Sequence, residues 1–397
     1  MPTPTAQIVI EPAATVSVSA GTGYFADPYP VLPWISTTNP STSQSFIGTV
    51  ANEILTCPGT IQASCFQGQP ISVDTTALQA QASANNVMFI NGSENQNTYQ
   101  DPSGNWHMAV TLHVISTTNA SAGKWNVIAH AHPVMTNGGI PTQWAADTLL
   151  VGSFSQPDNA DYDGHYFLDG GRLYFVYTSM ISVSPPQNGI VAQLMTSPTQ
   201  PAPSAPTTLI GPTNDNGGYN SEYASINPSN TFKLLETGFI TVIDGKYVMG
   251  YSDGSYDLPN YKAALAWSDT FLPPAGSYYI KALKTDTAGV WGQPNHAEVQ
   301  YILQSYESAW PNYVASQVLA PGVPSLEQDA TGQWYLFFAG YAPSDAPPSP
   351  TKGSQFYDGS HRRPFFIKVQ VNISAGATVA GTSPYDLVSW IQPVTSE

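Results

Sequence analysis

Carboxylates dominate the chemically active side chains of this sequence: Asp and Glu number 27, against 11 Lys and Arg, 7 His and 2 Cys. Charged residues are only 10% of the chain, against about 25% in an average soluble domain. An acid that recurs at one place in a pattern is therefore informative. Asp163 opens Asp-Gly-His-Tyr-Phe-Leu-Asp-Gly-Gly, and Glu236 sits in Leu-Leu-Glu-Thr-Gly-Phe-Ile-Thr-Val-Ile-Asp-Gly. Each precedes the glycine of a turn by eight or nine residues. A third acid, Asp27, is embedded in Phe25-Ala-Asp-Pro. Carboxylates brought to one cavity can divide proton transfer between them, one giving a proton and another taking one from water. The chemistry is general acid–base catalysis.

A second tier of residues fits substrate contact. Glu94 lies in Asn91-Gly-Ser-Glu-Asn-Gln and Glu222 in Tyr219-Asn-Ser-Glu-Tyr, both extra acids near the same stretches. His165 is two residues past Asp163, on the same face of an extended strand. Aromatics make up 12% of the chain. Most pack a core, but Trp34 and Trp267 are taken as platforms for sugar rings. Neutral sugars suit a protein of net charge −16, whose field repels nucleic acid and anionic membrane surfaces. No CxxC or His/Cys spacing points to zinc. No run of about 20 apolar residues offers a membrane span.

Cys57 and Cys65 flank a Pro/Gly-containing loop and are read as a local disulfide, with two free thiols as the alternative. The start, Met-Pro-Thr-Pro-Thr-Ala-Gln, has neither a basic nor an apolar leader region. Low charge and a polar uncharged surface are those of secreted enzymes. The expectation is a mature, extracellular monomer.

The elements that must position these acids are strands. With 32 Gly and 35 Pro, the composition suits many short strands joined by turns. Four segments repeat a glycine, a polar residue and an apolar run: Gly104-Asn-Trp-His-Met-Ala-Val-Thr, Gly171-Arg-Leu-Tyr-Phe-Val-Tyr-Thr, Gly245-Lys-Tyr-Val-Met-Gly-Tyr-Ser and Gly332-Gln-Trp-Tyr-Leu-Phe-Phe-Ala. Each follows an Asp/Gly turn cluster, a strong hairpin signal. A third strand follows each hairpin, beginning near Trp125, Gly189, Tyr261 and Pro364.

Units recurring every 65 to 90 residues or so predict an all-β, five-bladed β-propeller with four-stranded antiparallel blades. A β-sandwich is the competing architecture. The blades are placed at about 20–85, 86–140, 141–205, 206–275 and 276–380, in one domain whose C-terminus closes the ring. In a propeller the first strand of each blade lines the central channel, which is where Asp27, Asp163 and Glu236 fall.

These residues resemble a known family. Phe25-Ala26-Asp27-Pro28 is similar to the Ala-Asp-Pro that opens the catalytic domain of family 43 glycoside hydrolases. Asp163-x-x-x-Phe167-x-Asp169-x-Gly171 resembles its third-blade motif. Glu236, followed by Asp244-Gly-Lys-Tyr-Val-Met-Gly-Tyr-Ser, resembles its Glu-Gly-Pro strand and the strand after it. Tyr261-Lys-Ala-Ala-Leu-Ala-Trp-Ser and Ala320-Pro-Gly-Val-Pro-Ser continue the likeness in the same order. The resemblance implies an inverting glycosidase acting on arabinose- or xylose-containing plant-type saccharide. Asp27 would be the general base, Glu236 the general acid and Asp163 the residue that orients the acid and tunes it. Inversion needs the two working carboxyls about 6.5–9.5 Å apart, to admit water.

The sequence departs from that pattern in places. The family's last-blade Pro-Gly-His reads Pro321-Gly322-Val323, so no cofactor is implied and a structural calcium has no support. Thr237-Gly238 replaces Gly-Pro after the acid, and the second-blade Ala-Pro motif is replaced around Glu94. Two other readings stay open: a retaining fructan-active or transglycosylating enzyme, with carboxyls about 5–5.5 Å apart, and a carbohydrate-binding propeller without turnover. Specificity is expected to lie in the long loops 134–160, 199–230 and 341–361.

Overall fold

In the computed structural model of the chain, the described residues are 11–12, 28–30, 44–48, 53–57, 60–62, 67–135, 140–155, 161–212, 232–281, 283–285, 297–299, 301–305, 307–308, 318–329, 331–342, 362–372 and 391–394. They form a five-bladed β-propeller. The repeated glycine units are its hairpins. Asp244-Gly245 and Gly170-Gly171 have positive φ at both positions (49° and 78°; 53° and 77°), as a two-residue turn matched to strand twist requires. The other two turns are tied by their aspartates. Asp101 Oδ1 accepts from the Ser103 and Asn105 amides at 2.9 and 2.8 Å. Asp329 Oδ1 does the same for Thr331 and Gln333 at 2.9 and 3.0 Å.

The first sheet holds Pro28–Pro30, Gln44–Gly48, Glu53–Cys57 and Gln67–Pro70. The second runs Val87–Gln100, Trp106–Ser116, Lys124–Pro133 and Gln143–Val151, with Ser72–Asp74 parallel on its outer edge. The third is built from Tyr162–Asp169, Arg172–Val183, Pro186–Ser197 and Thr207–Ile210. The fourth is built from Lys233–Ile243, Lys246–Asp253, Lys262–Ser268 and Tyr301–Gln304. In the fifth, Leu319–Gln328, Trp334–Tyr341 and Arg363–Val371 are followed by two outer segments from opposite chain ends. Glu11–Pro12 and Ile391–Pro393 both pair with Arg363–Val371.

Innermost strands touch in sequence, second to third, third to fourth, fourth to fifth and fifth to first. Gln44–Gly48 packs on Val87–Gln100 and completes the ring. The hydrophobic clusters lie between blades. Ile243, Leu265, Leu326, Phe338 and Phe365 join the fourth to the fifth, and Phe167, Val176, Ile240 and Met249 join the third to the fourth. Both faces of a blade are thus covered, so strands such as Trp334–Tyr341 are buried almost throughout instead of alternating.

The boundaries differ from the sequence reading. Ser72–Asp74, placed in the first blade, edges the second; Gln143–Val151, placed in the third, is the outer strand of the second; Thr207–Ile210, placed in the fourth, belongs to the third; and Tyr301–Gln304, placed in the fifth, belongs to the fourth. Outer strands carry no hairpin signature and join through long connections, so spacing misassigns them. Among the described residues no helix is long and apolar enough to cross a membrane. The α-helix Thr76–Ala84 leads into the second blade.

Candidate active site

Four innermost strands break register at the same level. The pairing slips between Glu94 and Asn97, Tyr162 and His165, Glu236 and Phe239, and Gly322 and Ser325. The residue entering each bulge has positive φ: Asn95 51°, Asp163 57°, Thr237 59° and Val323 56°. A bulge re-aims the side chains beside it, and here it turns them toward the channel. Asn and Asp tolerate this backbone, whereas β-branched Thr and Val are strained in it. Ser252 helps to hold both strained residues: its Oγ lies 2.5 Å from Thr237 Oγ1 and accepts from the Val323 amide at 2.6 Å. Gly164 and Gly238 follow the turned residue because a Cβ would stand 2.3 Å from Phe175 Cζ and 2.5 Å from Ile190 Cδ1.

Three of the bulges, those of the second, third and fourth blades, line a cavity of about 420 Å³ through Glu94, Asn95, Tyr162, Asp163, Glu236 and Thr237, together with residues of the neighbouring strands and loops. Asp163 and Glu236 are buried, 5% and 7% exposed. Tyr162 donates to Glu236 Oε2 and Tyr261 to Glu236 Oε1, each at 2.7 Å. Asn95 Nδ2 donates to Asp163 Oδ1. On the second blade His113 bridges Glu94 and Asn126. Arg362 lies over the rings of Tyr261 and Tyr256, 5.2 and 5.7 Å from their centroids.

The electrostatics keep the phenols protonated. Burial raises Tyr162 well above the ordinary tyrosine range, and the charges of Glu236 and Asp163 raise it further. Tyr256 is raised by burial and by Asp257, with Arg362 opposing. Donors that cannot ionise near neutrality are fixed anchors for the carboxylate they face.

The structure therefore brings Asp163, Glu236 and Glu94 together. It does not bring in two of the residues read as substrate contacts. His165 is 1% exposed and does not line the cavity; its ring packs 5.2 Å from that of Phe239, because the register slip between Tyr162 and His165 breaks the alternation that would have put it beside Asp163. Trp267 pairs with Val248 and lies under the Lys246 ammonium at 4.3 Å. That is the far end of a strand whose opposite end reaches the cavity next to Tyr261. Asp27, Trp34, Glu222, Cys65 and the side chain of Cys57 lie outside the described residues.

Tyr162, Tyr261, His113, Asn126 and Arg362 were not singled out from sequence. Among the described residues no group of three or more His, Cys, Asp and Glu could hold a metal ion.

No protein-family model matches the sequence, and no curated protein matches it. Solved structures do. A thermostable family-43 glycoside hydrolase matches with a TM-score of 0.58 at 15% identity, over 92% of this chain and 97% of that one. An α-L-arabinofuranosidase from Lactobacillus brevis matches with a TM-score of 0.59 at 14% identity, over 93% and 97%. A xylan β-1,4-xylosidase from Bacillus Halodurans C-125 gives 0.53 at 15% identity, over 89% of this chain and 54% of that one. The fold is that of the five-bladed propeller glycosidases.

Proposed function

We propose that this protein is a glycoside hydrolase that cleaves arabinose- or xylose-containing saccharides with inversion, working outside the cell. The observation that carries the reading is one cavity holding two buried carboxylates, Asp163 and Glu236, from separate blades, with uncharged phenols donating to the second. In this reading Glu236 gives its proton to the glycosidic oxygen as the bond to the anomeric carbon breaks. Asp27 takes a proton from the water whose oxygen attacks that carbon from the opposite face. Asp163 keeps a negative charge beside the acid, which favours the acid's protonated form. The solved structures with this fold include an arabinofuranosidase and a xylosidase, which supports the substrate class.

The test is hydrolysis of aryl α-L-arabinofuranosides and aryl β-D-xylosides. Wild-type turnover is expected, with kcat/KM falling about 10²- to 10⁴-fold in Glu236→Gln and in Asp27→Asn, the range for general acid–base groups. The first sugar released should have inverted configuration by NMR. Unchanged rates in both variants would remove the hydrolase assignment, and a retained configuration would remove the inverting one.

A further inference from the structure

We propose that Glu94, held in place by His113 and Asn126, accepts a hydrogen bond from a sugar hydroxyl and is the contact by which this cavity selects its saccharide. The inference rests on the glycosidase reading and adds a specificity residue to it. Glu94 stands at the point of its bulge where Tyr162, Glu236 and Gly322 stand in the next three blades. It therefore reaches the cavity at the level of Glu236. Its partners differ. Both oxygens of Glu236 are taken by phenols. Glu94 has one oxygen, Oε2, against His113 Nε2, and no described residue donates to Oε1. A carboxylate oxygen on the wall of a cavity, with its partner oxygen already clamped, is an aimed acceptor.

The clamp is built from strand pairing. His113 and Asn126 are directly opposite one another on neighbouring strands of the second blade, and His113 Nδ1 lies 2.5 Å from Asn126 Oδ1. Since an amide oxygen can only accept, Nδ1 is the donor in that contact, which leaves Nε2 turned to Glu94.

The ligand class follows from the remaining charges. Lys124 and Arg362 line the same cavity as Glu94, Asp163 and Glu236. An ionic ligand of either sign meets its own charge on one wall. A neutral polyol donates to the carboxylates and accepts from the cations.

A hydroxyl that loses a charged acceptor forfeits about 1.5–3 kcal/mol, so Glu94→Ala is expected to lower kcat/KM for a wild-type substrate about 10- to 150-fold. Against monodeoxy analogues of that substrate the loss should vanish for one analogue, the one lacking the hydroxyl that Glu94 accepts, and persist for the rest. Glu94→Gln, whose amide oxygen still accepts, should recover part of the loss. His113→Ala should show the same analogue dependence as Glu94→Ala, with the change mainly in KM. Thermal melts on each variant check that it is folded.

An equal loss on every analogue would mean that Glu94 acts on the fold alone, and an unchanged parent rate would mean no contact. Either overturns the inference. If the wild type turns over none of the glycosides, xylotriose and arabinotriose binding by calorimetry replaces kcat/KM. Binding that weakens in Glu94→Ala, with the same dependence on one hydroxyl, would then keep this inference while the hydrolase reading falls. A wild type that neither cleaves nor binds saccharide ends both.

Discussion

Tyr162, on the third blade, donates its phenol to Glu236, on the fourth, at 2.7 Å, and Tyr261 donates to the other oxygen of that carboxylate at the same distance. The acid is thus oriented from two sides by phenols of the third and fourth blades. Tyr162→Phe and Tyr261→Phe keep the rings and remove the donors. Each is expected to lower kcat by about 1.5–3 kcal/mol of lost charge-assisted bonding, or 10- to 150-fold, with KM little changed. The double variant should lose less than the product of the two, since both act on one group. Steady-state kinetics on an aryl glycoside decide it; a wild-type kcat in both single variants would show that Glu236 needs neither donor.

Gly322 tests the same geometry from the fifth blade. A Cβ there would lie 2.0 Å from Tyr261 Cε1, so Gly322→Ala must push the ring that holds Glu236. Overpacking of this kind costs about 1–3 kcal/mol, and kcat should fall as it does in Tyr261→Phe. Tyr261→Ala relieves the clash but leaves a cavity costing about 3–5 kcal/mol, so Gly322→Ala is expected to cost less stability in the Tyr261→Ala background than in the wild type, with no recovery of rate. Denaturant midpoints and kcat measured on the same preparations separate the two effects. If the midpoint of Gly322→Ala equals that of the wild type, the close approach is not real.

The hairpins and the two cavity acids were legible in the sequence because local chemistry writes them there. Asp-Gly turns mark the hairpins, and strands run a similar distance from channel to turn, which placed Asp163 and Glu236 at matched spacings. The bulges were not legible. Of the four turned residues only Asn95 and Asp163 have side chains that favour positive φ; Thr237 and Val323 hold it through tertiary contacts. Without the bulge, counting back from the turn puts Glu94 opposite Leu112 and leaves His113 unremarked, whereas in the structure Glu94 pairs with Thr111 and its carboxylate meets His113. Likewise Tyr162 and Tyr261 read as core aromatics, because nothing local reveals that their hydroxyls meet one carboxylate from two strands.

His165 makes acid stability predictable. Burial drives its imidazole down to about 3, from an ordinary value near 6.5 in the unfolded chain. A base with a depressed folded value favours folding fully above about pH 6.5, and that contribution declines as pH falls toward 3. Over the whole window the change is on the order of 4 kcal/mol for so deeply buried a group. His165→Leu removes the titration, so its unfolding free energy should fall less steeply than the wild type's between pH 6.5 and 3. Urea melts at half-unit steps check this, and parallel curves would show that His165 does not set the slope.

A separate group acts at lower pH. Asp147, on the outer strand of the second blade, lies 2.8 Å from His130 Nδ1 and 2.5 Å from His132 Nδ1. Burial pulls its carboxyl upward, but the hydrogen bond and charge of His130, with the bond from His132, bring it down to about 2. For an acid with a depressed folded value, the stabilisation is present above its ordinary value near 3.9 and is lost as pH falls through about 2. The carboxylate is about one-third exposed, so solvent screening reduces the contribution to roughly 1 kcal/mol. Asp147→Asn should therefore unfold at lower urea than the wild type at pH 5 and converge with it near pH 2. The two windows overlap only between about pH 3.9 and 3, and the groups lie on different blades, so a double variant with His165→Leu should lose both slopes independently. A difference at pH 5 that persists undiminished at pH 2 would mean that Asp147 contributes through its shape and not its charge.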